Sequence, residues 1–306
     1  MIKKGTFVDM RGPWSEGILE KLYELAFQMT PVGMSFVTLD RRGLYCNPAL
    51  CYLLGRSAEE LSMIDIGSIT HPEDRNLHVE LHRQLLAGEI EQYSLDKRYV
   101  HKGGHIIWAH LEVVLVGDDI SLPRMLLSQV SDIGHRVAMS DQLLFLASHD
   151  VLTGLGNRSE LFAQIDRANQ RDPTSVPIAI LYLDMDDFKS INDMLGHAMG
   201  DRALVHVAEQ IRGVLGPEDF AARIGGDEFV VVAKHQAIAA YASNLAKQIL
   251  ECLSVPVHWD GHRLKLSASI GIAFASHQSP DAILSLADDA LYLAKRNGKN
   301  RSVISE

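Results

Sequence analysis

The chain has 306 residues, 47% of them hydrophobic, enough to bury a sizeable core and to build two domains. A formal net charge of −10 argues against a non-specific nucleic-acid binder, which would draw on a basic surface. No apolar run approaches the roughly 20 residues that cross a bilayer.

The opening Met1-Ile2-Lys3-Lys4-Gly5-Thr6 lacks the apolar core of a signal sequence. Three cysteines, Cys46, Cys51 and Cys252, show no C-x-x-C spacing, so the expectation is a soluble, cytoplasmic chain with reduced thiols. Ile18, Leu22, Leu25 and Met29 then repeat at helical spacing behind a Ser15 cap. Met34 to Leu39 reads as a strand, Arg41-Arg42-Gly43 as a turn and Leu44-Tyr45-Cys46 as its hairpin partner. Short helices through Cys51 to Gly55 and Ala58 to Leu61 precede a longer one, Pro72 to Ala87, ended by Gly88. Tyr93 to Tyr99, Ile106 to Val116 and Arg124 to Ser131 alternate like three antiparallel strands. Together these predict an α+β, sensor-like domain of about 120 residues.

Ile133, Val137, Ser140, Leu144 and Ala147 step by four, three, four and three. That spacing fits a short coiled coil or one amphipathic helix lying on its own domain. A turn-rich entry, Asp150 to Arg158, follows, with Asn157 poised to cap the next helix. Pro177 to Leu183 reads as a buried strand ending at Asp184, and Gly200 to Leu215 as a helix. Phe220 to Ile224 and Glu228 to Ala233 flank a Gly225-Gly226 turn. His235 to Leu253 is expected to be helical, Lys265 to Ala275 a strand and Asp281 to Arg296 a last helix. The pattern predicts a mixed sheet with helices packed on it.

The chemistry gathers at two stretches. In Arg223 to Val232, two glycines and two carboxylates, Asp227 and Glu228, precede a β-branched run. Alone, that is a hairpin with acids facing water. Upstream, Leu183-Asp184-Met185-Asp186-Asp187-Phe188-Lys189 closes another apolar run. Carboxylates at two strand ends, one beside a lysine, are what divalent-metal phosphoryl or nucleotidyl transfer needs.

Residues 20 to 135 resemble a PAS domain. The features are Pro31-Val32-Gly33-Met34, Asn47-Pro48-Ala49-Leu50, Gly55 to Leu61, His71-Pro72-Glu73-Asp74, Lys97-Arg98-Tyr99 and Val130-Ser131-Asp132-Ile133. PAS domains bind small ligands, haem or flavin, or only dimerise, so the resemblance leaves the ligand open. His71, His78 and His82 are the residues a haem would use. Against that, His71 belongs to a common turn motif, and His78 and His82 suit a solvated face. Cys46 and Cys51 do not sit in the motif of light-sensing flavin domains and read as small buried hydrophobes.

From Asp150 onward the chain resembles the GGDEF diguanylate cyclases. The motifs are Asp150 to Arg158, Asp184 to Asp193, Gly196 to Asp201, Gly225 to Phe229, Ser269 to Ala273, Ala290 to Lys295 and Gly298-Lys299-Asn300. The resemblance implies condensation of two GTP molecules into cyclic di-GMP by a homodimer, with two Mg²⁺ (or Mn²⁺) ions per site. It implies that Asp184, Met185, Asp227 and Glu228 form the metal group, with Asp227, Glu228 and Lys189 catalytic. Asn192 and Asp201 match the guanine-recognising pair. Phe188, Lys189, Gly225, Gly226, Lys295 and Lys299 match the rest of the GTP site, with lysine at Lys299 where many members carry arginine. Asp186 and Asp187 read as supporting residues, and Arg158 and Arg223 as structural ion-pair partners. An inhibitory R-x-x-D product site would end at Asp219, but Gly216 replaces its arginine, so that site is expected to be weak or absent.

The expected organisation is an N-terminal extension (1–19), a PAS sensor (20–135), a helical linker (136–149) and a catalytic domain with a nucleotidyl-cyclase or palm-like mixed sheet (150–306). Two other readings stay open. One is a catalytically silent GTP- or effector-binding module. The other is a fragment of a longer protein that also carries a phosphodiesterase.

Overall fold

In the computed structural model the described residues are 16–39, 43–117, 123–169, 176–275 and 278–305. The Ser15 cap and the Arg41-Arg42 part of the first turn lie outside them. The chain divides into two units, Met1–Ser140 and Asp141–Glu306.

In the first unit, apolar spacing gives α1 (Glu16–Met29), and period-two patterns give β1 (Gly33–Val37) and β2 (Gly43–Cys46). Three short helices follow: α2 (Pro48–Leu54), α3 (Ala58–Met63) and α4 (Val79–Ala87). Each start and stop has a local cause. Asn47 Oδ1 accepts from Leu50 N at the start of α2, Ser57 and Glu60 form a reciprocal capping box on α3, and Gly55 and Gly88 end α2 and α4 with left-handed φ. The long strands β3 (Gln92–Val100), β4 (Ile106–Val116) and β5 (Met125–Asp132) complete an antiparallel sheet ordered β2-β1-β5-β4-β3. Its inner face and the short helices bury Leu54, Leu85, Tyr99, Leu111 and Val130.

Three expectations change here. Pro72 to Ala87 is not one helix: Pro72–Asp74 forms a single 3₁₀ turn, and α4 begins only at Val79. The break follows from Asp74, whose carboxylate turns back to accept from the Arg98 backbone N–H (2.7 Å) and guanidinium (2.6 and 3.0 Å). With the helix broken, His78 is buried (4% exposed) and His82 half-buried, instead of both facing solvent. Cys46 and Cys51 are partly buried with their sulfurs 3.7 Å apart, and burial is the main force pushing the Cys46 thiol up to about 12.

Helix α5 (Gly134–Ser148) spans the division between the units. None of its residues is buried, and Met139, Leu143, Leu144, Phe145 and Leu146 are exposed. The second unit continues with α6 (Arg158–Asn169), β6 (Ile178–Met185), α7 (Phe188–Leu195), α8 (His197–Val214), β7 (Phe220–Gly225), β8 (Glu228–Lys234) and α9 (Ile238–Leu253). A small hairpin, β9 (Val257–Trp259) with β10 (His262–Leu264), precedes β11 (Ala268–Phe274), α10 (Pro280–Arg296) and β12 (Ser302–Ile304). The sheet runs β12-β11-β6-β8-β7, with β11–β12 parallel and the other pairs antiparallel. Helix α8 starts three residues before its expected Gly200, the separate α7 precedes it, and β11 begins at Ala268, three residues later than expected.

Both faces of this second sheet are covered, so its central strands are almost continuously apolar. Leu181, Leu183, Phe229 and Val231 pack with residues of α8 and α9. Ile180, Val230 and Val232 pack with residues of α6 and α10. Among the described residues no helix is long and apolar enough to cross a membrane.

The Asp74–Arg98 pair carries a pH signature. The guanidinium hydrogen bonds hold the Asp74 carboxyl below its ordinary range. Its stabilisation is therefore complete above the ordinary aspartate pKa and drains away as pH falls through the lowered folded-state value. Asp74→Asn is expected to cost about 2 kcal/mol in urea unfolding above pH ~5. The gap to the parent chain should close in more acidic buffer, and a constant gap across that range would contradict the assignment.

Candidate active site

The site begins with strand register. Strands β6 and β8 pair antiparallel with Asp184 opposite Glu228. Side chains alternate along a strand, so Tyr182, Asp184 and Glu228 share the face covered by α6 and α10. Asp227 occupies the turn between β7 and β8, its carbonyl accepting from Met185 N at 3.2 Å. That turn is pinned by Arg223, which donates to the Gly226 carbonyl at 2.7 and 2.9 Å and pairs with Asp150 at 3.1 Å. Gly226 has φ of 50°, a left-handed conformation that favours glycine, and a side chain there would meet no atom within 4 Å. The open face of the turn is thus backbone, accessible to a bound molecule.

The electrostatics follow from crowding. Burial is the largest influence raising the Asp184 carboxyl; the Lys295 ammonium, 2.8 Å away, opposes it, and Asp227 adds repulsion. Burial also leads in raising Glu228, helped by Asp184, Asp227 and Asp288. Three carboxylates at one strand end with one ammonium among them form an unbalanced negative centre. Among the described residues no three side chains are already arranged as a metal cage. Hard carboxylate oxygens in small number still suit Mg²⁺, which keeps waters and takes substrate phosphates as well as one or two carboxylates. Met185 is buried in the core, so its thioether is withheld and only its backbone carbonyl is left for such a group. Beside Glu228 lies a groove of about 300 Å³ lined by Arg158, Phe162, Tyr182, Ile224 and Asp288, among others. Arg158 lies over the Phe162 ring at 5.6 Å and makes no ion pair among the described residues, unlike Arg223.

Helix α7 starts four residues after Asp184, with Asp187 in a left-handed conformation before it and no side-chain cap. The first-turn N–H groups, at Phe188 and Lys189, are therefore presented as anion donors. Lys189 is exposed, and the Asp187 carboxylate instead holds Lys299 at 2.7 Å. Asp186 is buried and ties three segments together: it accepts from Ser269 Oγ at 2.7 Å and Asn300 N at 3.0 Å, and its own N–H bonds the Ser267 carbonyl. These bonds bring the loop carrying Lys299 to the end of β6. Helix α10, which carries Lys295, rests directly on β11: a Cβ at Gly271 would lie 1.9 Å from the Ala287 carbonyl oxygen.

Asn192 and Asp201 sit on α7 and α8, which pack against each other. Their close approach depends on Gly200, since a Cβ there would lie 1.9 Å from Asn192 Oδ1 and 3.3 Å from the Phe188 ring. Asn192 is half-buried and its amide is not a helix cap; Asp201, next to Gly200 in sequence, is exposed. Gly200, Ser269 and Gly271 stand inside the motifs already singled out but carry no reactive group. Asp288 and Tyr182 were missed altogether. Spacing offered a signal for both, since Asp288 is two turns before Lys295 on α10 and Tyr182 is two residues before Asp184 on β6.

Gly216 and Asp219 lie elsewhere, in the loop between α8 and β7. Asp219 accepts from Gly216 N (2.8 Å), Lys234 N (3.0 Å) and the Tyr241 hydroxyl (2.5 Å), so its carboxylate is committed to the loop.

Comparison with known proteins agrees with this geometry. The family described as "Diguanylate cyclase, GGDEF domain" matches residues 147–301, and the PAS fold matches residues 43–125. Diguanylate cyclase TpbB of Pseudomonas aeruginosa is 41% identical over 165 residues, 52% of this chain and 38% of that protein. An uncharacterized signaling protein of Caulobacter vibrioides is 37% identical over 178 residues, 56% of this chain and 22% of that one. The chain thus spans less than two fifths of the length of these relatives. The solved GGDEF domain of TpbB superposes with a TM-score of 0.50 at 40% identity, covering 52% of this chain and 94% of that one. The coiled coil and GGDEF domain of DgcB from Caulobacter crescentus, solved in complex with c-di-GMP, gives 0.51 at 29% identity, covering 56% and 93%. With a match over more than half its length, which includes the carboxylate hairpin described above, the chain belongs to the GGDEF domain family and carries a PAS fold ahead of that domain.

Proposed function

We propose that the protein is a diguanylate cyclase, joining two GTP molecules into cyclic di-GMP with release of two pyrophosphates, under the control of its PAS domain. The observation that carries this reading is the convergence of Asp184, Asp227, Glu228 and Lys295 at the paired ends of β6 and β8, beside the uncapped start of α7. We place the sensor at 20–135, the linker at 136–149 and the catalytic domain at 150–306.

In each half-reaction a ribose 3′-oxygen bonds to the α-phosphorus of the other GTP, the α–β anhydride breaks, and pyrophosphate leaves with its electron pair. Asp227, on the turn pinned by Arg223, faces the attacking hydroxyl and takes its proton; Glu228 and Asp184 hold the charge of the site. Asp184, Asp227, Glu228 and the Met185 carbonyl are the donors for divalent cations. When bound, Mg²⁺ neutralises the triphosphate and eases loss of the hydroxyl proton. Lys295 exchanges its bond to Asp184 for phosphate oxygens, and the Phe188 and Lys189 N–H groups bind the same chain. Lys189 and Lys299 add point charges, Lys299 without the forked geometry of an arginine. The Asn192 amide and Asp201 carboxylate match the acceptor and donor edge of guanine, which adenine lacks. One site holds one GTP, so two chains must meet. The exposed apolar residues of α5 supply a surface for pairing.

Incubating the full chain with GTP and Mg²⁺ should yield cyclic di-GMP by chromatography, and Asp227→Asn should lower turnover by at least about 100-fold. GTP bound without product in the parent chain would favour the silent module.

Gly200→Ala should push the Asn192 amide aside. We expect KM for GTP to rise about 10-fold, with discrimination against ITP, which lacks the guanine amino group, reduced and kcat less affected. Equal loss in kcat and unchanged selectivity would contradict that role.

Because Asp219 is held by its own loop and Gly216 offers no guanidinium, product should not be gripped there. Calorimetry is expected to show no tight cyclic di-GMP site that Asp219→Ala removes; sub-micromolar binding abolished by that change would overturn it.

A further inference from the structure

Three of the four non-glycine residues with left-handed φ among the described residues meet beside the site: Asp187 (57°), Lys299 (59°) and Asn300 (46°). Side chains rarely adopt that conformation, and the strain persists where surrounding bonds over-determine it. Here they do. Lys299 N donates to the Ala294 carbonyl (3.2 Å), the Lys299 carbonyl accepts from Arg301 Nε (3.1 Å), and Asn300 N is held by the buried Asp186 carboxylate (3.0 Å). The backbone that presents Lys299 is thereby fixed, and the residue's remaining freedom lies in its exposed side chain.

That side chain gives its ammonium to Asp187, 2.7 Å away. Asp187 stands where an aspartate commonly caps a helix, yet it makes no side-chain bond to the first turn of α7. An ion pair this exposed adds little to the stability of a fold, so stability does not account for the strain around it. A phosphate chain at the start of α7 would compete with the Asp187 carboxylate for the same ammonium, and the two anions would repel each other.

The competition matters most after bond cleavage. The departing pyrophosphate keeps the β- and γ-phosphate contacts it had within GTP. It also gains a negative charge on the oxygen released from the α-phosphorus. Lysines and helix N–H groups that grip the triphosphate therefore grip this product too, and slow release would limit turnover.

We propose that Asp187 is a positioning residue for product release: it competes with pyrophosphate for the Lys299 ammonium and reclaims it as pyrophosphate departs. The proposal rests on the GTP site described under Proposed function. Because the product carries more charge than the same phosphates within GTP, Asp187 weakens pyrophosphate binding more than substrate binding. The exchange is one of ion pairs, with no covalent bond made or broken.

The test is calorimetric titration of the full chain, in Mg²⁺, with pyrophosphate and separately with 3′-deoxy-GTP, which keeps the triphosphate and lacks the attacking hydroxyl. Asparagine tolerates a left-handed backbone, so Asp187→Asn removes the charge with little disturbance. It should bind pyrophosphate about 5-fold tighter than the parent, and 3′-deoxy-GTP at most about 2-fold tighter. Asp187→Gly, unstrained at that φ, should show the same preference and decides the matter if Asp187→Asn does not fold. Lys299→Met should weaken pyrophosphate binding. Adding Asp187→Asn to it should then change that affinity by less than about 2-fold, since the ammonium in dispute is gone. Pyrophosphate binding no tighter in the folded Asp187 variants than in the parent, an equal gain for 3′-deoxy-GTP, or a gain that persists undiminished beside Lys299→Met would overturn the proposal and leave the GTP site standing. A parent chain that binds neither probe would overturn the GTP site and this proposal together.

Discussion

The pairing of β6 with β8 forces Asp184, Asp227 and Glu228 together, and much of the second unit is arranged around the resulting repulsion. Apolar residues on both sheet faces fix that register. A slip by one residue would turn Asp184 or Glu228 toward the apolar α8–α9 core. The hydrophobic core therefore holds carboxylates in a place that their own charges oppose. Such an arrangement is stable as it stands only with a counter-charge, and Lys295 supplies one at 2.8 Å.

The surrounding elements each position one part of the site. Gly271 lets the backbone of α10 lie on β11, which sets the height of Lys295 above the strand ends. Asp186 bonds Ser269 and Asn300 and so fixes the approach of the loop bearing Lys299. Gly200 lets α7 and α8 close on the Asn192 side chain. None of these residues needs reactivity; each sets where a reactive neighbour stands.

What was legible in the sequence was what depends on local pattern. Apolar alternation located β6, β8 and the long strands of the first unit. Asn157, expected as a cap, accepts from Glu160 N at 3.0 Å. Asp184 was expected beside the hairpin, and register places it opposite Glu228. The failures came where a distant partner decided the outcome. Arg98 on β3 recruits Asp74 and breaks what reads as one helix, and that break carries His78 into the interior. The role of Gly200 depends on a side chain from another helix, so spacing within α8 did not show it. Lys97, quoted only as part of a motif, occupies an inward position that its own strand's alternation exposes once the strand's facing is known.

The central claim is that the carboxylates at the β6–β8 ends form a cation site completed by a bound triphosphate. Titrating Mn²⁺ into the full chain by electron paramagnetic resonance, with and without a non-reactive GTP analogue, tests it most directly. The account predicts weak binding alone, two bound ions per chain with the analogue, and loss of that gain in Asp184→Asn. Binding that is unchanged by the analogue, or that survives Asp184→Asn intact, would contradict it.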